Sequence, residues 1–345
     1  MLSITITEKW NAYLEWFDEK SKDIYYEEEY VKLYERDGIK ALCIIGCEGS
    51  NIVIFPFLRG EIDGHYDMET PYGYGGPISN SNDSRWVNDT LKSIWDYLRR
   101  EGYICSFIRF HPLLSNERLF LQTGEFGPDI IYDRQTVSID LSKGEQDIWN
   151  DQMKPTCRNK VRKAQKCGLY YRSDFDMSDI HDFISLYIDT MKRLNAEPFY
   201  FFSEEYFVRL VKSLKGSVFV GRIEKDERLV CASLFMYKGS YGHYHLSGSN
   251  EDYLRLGANN LLLWGAACEL RRLGITEFHL GGGYDGSDNN SLLAFKRSFS
   301  DNTHSFYIGK SIFDSEMYST ICSKWRERNP LKKELYEDRL LMYRY

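Results

Sequence analysis

The chain has 345 residues, enough for two domains that each build a core of their own. With 43% hydrophobic and 28% charged residues, a net charge of -7 and an isoelectric point near 5.6, it is not the kind of protein that coats nucleic acid nonspecifically, so no DNA partner is expected, although a local basic site is compatible with these values. No apolar run approaches the roughly 18 residues of a membrane span, and residues 1–10 lack the charged start and apolar run of a signal peptide, so no transmembrane segment and a cytoplasmic location are expected.

In chain order, the first half reads as helical residues over about 7–37, then a hairpin of strands 41–46 and 52–58 turned by Glu48-Gly49-Ser50. The loop Thr70-Pro71-Tyr72-Gly73-Tyr74-Gly75-Gly76-Pro77 comes next. Its three glycines and two prolines rule out a regular helix or central strand, so it is a shaped loop presenting Tyr72 and Tyr74, either as aromatic plugs or to a substrate. An amphipathic helix over 84–100 stops at Gly102, and the strand after it, 103–110, ends in Arg109-Phe110-His111-Pro112. Open α/β sheets carry functional groups at such strand ends, which makes Arg109 and His111 candidates.

The second half repeats this plan. After a strand at 136–141, helices over about 179–214 precede strands 218–223 and 229–237, turned by Glu224-Lys225-Asp226-Glu227. An alternating strand 241–249, a helix over 258–273 opened by Gly257, and a strand 275–280 complete a strand-helix-strand crossover. That last strand runs into Gly281-Gly282-Gly283, where the backbone can approach a ligand closely. A polar loop with Asp285, Asp288, Asn289 and Asn290 leads to the turns Ser291 to Phe299, which deliver Lys296 to the mouth of the resulting cleft. The duplicated order predicts two α/β domains, 1–141 and 142–345, with no Pro- or Gly-rich linker between them.

Between the halves, residues 154–166 hold six cationic side chains and no acid. A helix from about 156 to Gly168 aligns Arg158, Arg162 and Lys166 at i, i+4, i+8, a row suited to a diphosphate, which Arg grips through paired hydrogen bonds; the competing reading is a solvated face. The eight cysteines are scattered without a Cys-x-x-Cys pattern and read as reduced. Neither Cys43 with Cys47 nor His243 with His245 brings the further ligands of a zinc site, so no metal is expected.

Two segments resemble the FemABX peptidyltransferase family: Arg158-Asn159-Lys160-Val161-Arg162-Lys163-Ala164 is similar to its Arg-Asn-x-x-Arg-Lys-Ala pattern, and 278–299 to its strand, Gly-Gly and Phe-Lys run. The resemblance extends over nearly the whole chain. It implies an α/β fold of two tandem GNAT-like (acyl-CoA N-acyltransferase-like) domains, mixed sheets flanked by helices. It also implies an enzyme forming an amide on an amino group of a nucleotide- or lipid-linked cell-envelope precursor of peptidoglycan or surface polysaccharide, with no bound cofactor and with charged tRNA (aminoacyl-tRNA) as the favoured donor. Lys296 falls at the position of the family's active-site lysine, and Arg158 and Arg162 lie in the segment neighbouring the precursor's phosphates.

Three departures stand out. Arg109-Phe110-His111-Pro112 stands where members often carry Asp before the proline, no coiled-coil arm is inserted in the second domain, and the CoA-binding pattern Arg/Gln-x-x-Gly-x-Gly/Ala is broken by Leu254 and Asn259. Chemically, an amine attacks an activated carbonyl. Lys296, with N–H groups near Gly281, Gly282 and Gly283 or near Gly257, is expected to hold the oxyanion, and His245 is a candidate proton acceptor, directly or through water. The alternatives are an acyl-CoA-dependent N-acyltransferase acting on an amino sugar and a non-catalytic module binding a nucleotide-linked glycan.

Overall fold

The computed structural model describes residues 1–120, 126–177, 180–287 and 290–345; Asp179, Asp288 and Asn289, named above, lie outside them. The chain forms two units, one of residues 1–21, 25–133 and 305–345, the other of 22–24 and 134–304.

The first unit begins with β1 (Ser3–Thr7), which alternates Ile with Ser and Thr and pairs antiparallel with β2 (Ile39–Glu48). The helical run expected over 7–37 is replaced by this strand and by turns of three or four residues, such as Asn11–Leu14 and Glu28–Val31. Aromatic residues are indifferent helix formers, and here Trp10, Tyr26 and Tyr30 are buried instead, so tertiary contacts set the path of the chain. β3 (Asn51–Ile62) closes the hairpin with β2, β4 (His65–Glu69) adds antiparallel to β3 where only a loop was expected, and β5 (Ile78–Ser79) pairs with β3. Helix α1 (Ser84–Arg100) starts where the Asp83 carboxylate accepts from the N–H groups of Arg85 and Trp86. It buries Leu91, Ile94 and Trp95 in one cluster with Phe55 and Phe57, and leads to β6 (Tyr103–Arg109), parallel to β4.

The second unit takes the same steps. β7 (Asp129–Asp140) enters it, then α2 (Pro155–Lys166), β8 (Tyr170–Asp174), α3 (Ile180–Arg193) and α4 (Glu204–Ser213). The hairpin of β9 (Val218–Lys225) and β10 (Arg228–Lys238) comes next, then β11 (Tyr241–Ser249), α5 (Ala258–Arg272), β12 (Glu277–Gly282) and α6 (Ser291–Lys296). The strand order is β7-β12-β11-β10-β9-β8, with β11 and β12 parallel and the other neighbours antiparallel. Leu262, Leu263, Ala266 and Leu270 of α5 share a core with Phe219, Phe235 and Phe278 of the sheet.

Finally β13 (Thr303–Ile312) pairs antiparallel with β6, and α7 (Ser315–Arg328) brings Ile321 into a cluster with Ile104 and Cys105. Arg344 bonds Asp67 and Glu69, fixing the last residues on β4. The domain limits read from the sequence, 1–141 and 142–345, therefore differ from the units observed: residues 305–345 pack with the first unit through this ladder and ion cluster.

Candidate active site

The site is made by the way β11 and β12 part company. Their parallel ladder covers only Tyr241, Gly242 and His243 against Glu277, Phe278 and His279. Just beyond it, both strands carry a bulge. On β11 the register with β10 moves from Phe235↔Tyr244 to Leu234↔Leu246, leaving His245 as the extra residue; on β12 the register with β7 moves from His279↔Ser138 to Gly281↔Val137, leaving Leu280. A bulge bends its strand and raises the local twist, so two bulges at matching height spread the sheet into a V. Gly281 turns this corner at φ +75°, a backbone region that other residues enter only with strain.

Lys296 closes the V. The Asn290 side chain caps α6 by accepting from the N–H groups of Leu292 and Leu293, and this short helix turns its last residue back over β12. Lys296 is 7% exposed; its Nζ donates to the Gly282 carbonyl at 2.7 Å and stands 5.7 Å from the centroid of the Tyr244 ring. Burial, reinforced by the nearby Arg134 guanidinium, pulls the ammonium down to about 7, so it changes charge near neutral pH. Arg134 itself donates to the carbonyls of Gly283 and Tyr284, so two cations hold three successive carbonyls, those of Gly282, Gly283 and Tyr284. A Cβ on Gly282 would lie 2.8 Å from the Gln135 carbonyl oxygen and one on Gly283 2.5 Å from the Asn290 side chain, which accounts for consecutive glycines here. Such a site holds one titratable donor in a place largely cleared of water, where a charged hydrogen bond is stronger than in solvent.

His245 lies beside this V, with its Nε2 3.1 Å from the Tyr206 hydroxyl of α4. Burial, with His243 adjacent, pulls the imidazole down to about 3. The expectation that it accepts the proton meets a physical obstacle, because so weak a base holds a proton poorly. His243 is buried and held by Asp23 at 2.8 Å, within the same unit.

The cationic segment forms the expected helix, but its arginines are already engaged. Arg158 donates to the carbonyls of Trp149, Asn150 and Met153, at 2.9, 2.6 and 3.0 Å, capping the π-helical turn before α2. Arg162 lies against the Trp149 ring at 5.2 Å and donates to Asn159. Gly257 caps α5 in the left-handed region at φ +86°, and a Cβ there would stand 2.6 Å from the Lys160 carbonyl oxygen, so α2 packs directly on this turn.

In the first unit, Tyr72, Tyr74, Arg109 and His111 form one structural knot. The Tyr74 ring meets those of Tyr25, His111 and Phe306 edge-on, and the Tyr72 carbonyl accepts from the Tyr30 hydroxyl at 2.6 Å. His111 is fully buried, its Nδ1 accepting from the Leu114 N–H. Asn116 ties the loop down, donating to the carbonyls of Gly75 and Pro77 and accepting from the His111 N–H. Arg109 donates to the Thr70 carbonyl and faces Glu69. None of these four lies in the unit that holds Lys296.

Two residues at the site escaped sequence reasoning. Tyr244, whose phenol burial lifts to about 12, alternates in β11 like any half-buried strand residue. Arg134 precedes the strand expected at 136–141 and gives no local signal.

Residues 152–297 match the acetyltransferase (GNAT) domain family, so the chain carries an acyltransferase domain of the GNAT kind over this stretch. Among solved structures, FemX aligns with a TM-score of 0.71 at 15% identity, covering 93% of this chain and 99% of its own. A conserved protein of unknown function from Bacteroides thetaiotaomicron aligns at 0.59 with 13% identity, covering 90% and 99%. A tandem GNAT protein from the clavulanic acid biosynthesis pathway aligns at 0.54 with 9% identity, covering 91% and 99%. At such identities the likeness defines the fold, which is the tandem GNAT fold seen in FemX. No curated protein matches the sequence. No helix among the described residues is long and apolar enough to cross a membrane.

Proposed function

We propose that the chain transfers an aminoacyl group from charged tRNA to an amino group of a nucleotide- or lipid-linked cell-envelope precursor. The observation that carries this reading is the buried Lys296 ammonium at the open V, beside the Gly282 carbonyl and the Tyr244 ring. The amine nitrogen attacks the ester carbonyl, its electron pair moves to the oxygen, and Lys296 leaves Gly282 to hold that oxyanion. Collapse forms the amide and breaks the ester C–O bond, and the proton lost by the amine nitrogen passes through solvent to the leaving ribose oxygen, which departs as the hydroxyl. An ester is already activated, so positioning and oxyanion stabilisation account for most of the catalysis required. His245 positions Tyr206 at the rim and takes no proton.

The second reading, an acyl-CoA-dependent N-acyltransferase acting on an amino sugar, draws support from the match of residues 152–297 to an acetyltransferase family. The turn that would bind the CoA diphosphate weighs against it. Gly257 is packed against the Lys160 backbone, and the Asn259 side chain accepts from the Cys231 thiol at 2.7 Å instead of leaving a small residue beside the donor. A donor screen decides the matter: aminoacyl-tRNA and acyl-CoA thioesters are each offered with UDP-linked muropeptides and amino sugars, and products are read by mass spectrometry. Amide formation from charged tRNA alone is the expected result; consumption of acyl-CoA alone selects the second reading, and transfer from neither donor rejects both.

A further inference from the structure

Of the six cations between residues 154 and 166, four are committed to protein partners. Lys154 pairs with Asp301 at 3.0 Å, Lys163 donates to the Arg255 carbonyl at 2.8 Å, and Arg158 and Arg162 are engaged as described. Among the described residues Lys160 has no such partner, and it lines a cleft of about 290 Å³ between α2 and α6. Thr156, Ser291 and Ser298 add hydroxyls to this cleft, Phe295 contributes an aromatic face, and among the described residues no acidic side chain lines it. Lys160 is exposed, without a protein counter-ion, on a helix crowded with like charge, so an anion in the cleft would relieve that repulsion and give the ammonium a direct ionic partner. A cation, several hydroxyls and an aromatic face lining one cleft are the combination that takes a phosphate and the base attached to it.

We infer that this cleft binds one phosphorylated nucleotide unit of the acyl donor, with the phosphate on Lys160 and the hydroxyls and the base against Phe295. The assignment to the donor rests on the acyltransferase reading above. Along α6 and the turn that follows it, Ser291, Ala294, Phe295 and Ser298 recur at the spacing of one helix face, and Lys296 lies on another, so a single short segment joins the nucleotide cleft to the reacting carbonyl. Both donor classes carry such a unit, as the 3′ end of tRNA or as the phosphoadenosine portion of CoA.

The experiment titrates the full chain by calorimetry with two probes, CoA and a short RNA ending in CCA. It compares wild type with Lys160→Glu, Lys160→Arg and the charge-matched control Lys212→Glu on α4. The side-chain change leaves the Lys160 backbone against Gly257, and circular dichroism verifies that each variant is folded. The expected result is binding by wild type that weakens at least about tenfold in Lys160→Glu, is retained in Lys160→Arg and is unmoved in Lys212→Glu; the probe that binds identifies the source of the nucleotide. Equal effects in Lys160→Glu and Lys212→Glu, or wild-type binding of neither probe at millimolar concentration, overturns the inference. Transfer is measured in parallel: an unchanged donor KM in Lys160→Glu removes the cleft while leaving acyl transfer intact. Lys160-dependent binding without any transfer keeps the cleft and removes the acyltransferase reading.

Discussion

In the first unit the chain leaving β4 stays on β6. After the ladder from Tyr66 to Glu69, the Thr70 N–H donates to Phe107, the Gly75 N–H donates to Arg109, and Gly75 bridges to Phe110. In the second unit the equivalent pair, β11 and β12, separates after three residues, and a lysine occupies the opening. The topology is the same: hairpin, strand, helix, parallel strand. The two units diverge sharply beyond the ladder. Asn116 and the tyrosine loop stitch one V shut, whereas paired bulges at His245 and Leu280 keep the other open. A duplicated fold can thus close in one copy and open in the other, and the local backbone decides which is which.

The largest effect should come from Lys296→Met, which is expected to lower the transfer rate by about 10²-fold or more while leaving the circular dichroism spectrum unchanged. The ratio of wild-type to variant rates, which cancels the titration of the amine substrate, should fall as pH rises through about 7 because the ammonium loses its proton there. A ratio that climbs with pH would make the lysine a proton acceptor instead and break the oxyanion role.

The same substitution sharpens the comparison in stability. In the folded protein Lys296 titrates near 7, against 10.5 for an ordinary lysine. Between these values the unfolded chain binds the extra proton, so the group destabilises the fold fully below about 7, and wild-type stability rises with pH up to about 10.5. Lys296→Met should therefore be the more stable protein at pH 6, on the order of a few kcal/mol, with the gap closing towards pH 10.5. Denaturant midpoints at several pH values measure it; a gap independent of pH would show that the lysine is not forced towards neutrality.

Asn116→Ala strikes the closed V. It leaves the Pro77 carbonyl without this donor and the Gly75 carbonyl with only the Tyr26 hydroxyl, and should destabilise the protein by about 1–3 kcal/mol, read by chemical denaturation. Turnover at a temperature where the variant is folded should hardly change; a rise in acceptor KM would instead place the tyrosine loop in substrate binding. The smallest effect is expected from Tyr206→Phe, about 1 kcal/mol from the lost bond to His245, with an unaltered pH-rate profile. A displaced profile would restore His245 to proton transfer.

Much of this plan was legible in the sequence, and for identifiable reasons. Periodicity located α1 and α5 to within a residue or two, because a helix burying one face must repeat its apolar residues at that spacing. The glycine run and the Phe-Lys pair pointed to Lys296. The row of Arg158 and Arg162 was also legible as helix, yet the carbonyls and ring that engage those side chains belong to residues 149–153, which no local pattern joins to them. β4 was missed because His65-Tyr66-Asp67-Met68-Glu69 is too short and polar to read as a strand until β3 and β6 pair with it.

The main hairpins, the long helices and the two α/β units were legible in the sequence itself, since each rests on contacts between near neighbours or on residue types that permit few backbone shapes. Only the tertiary structure decided that residues 305–345 return to the first unit, that β11 and β12 bulge at matching height, and that Arg134 and Tyr244 flank Lys296. These depend on register and on burial between segments far apart in the chain. The shift of Lys296 towards neutrality is of that kind: an ammonium loses its proton more readily only where the fold removes its water.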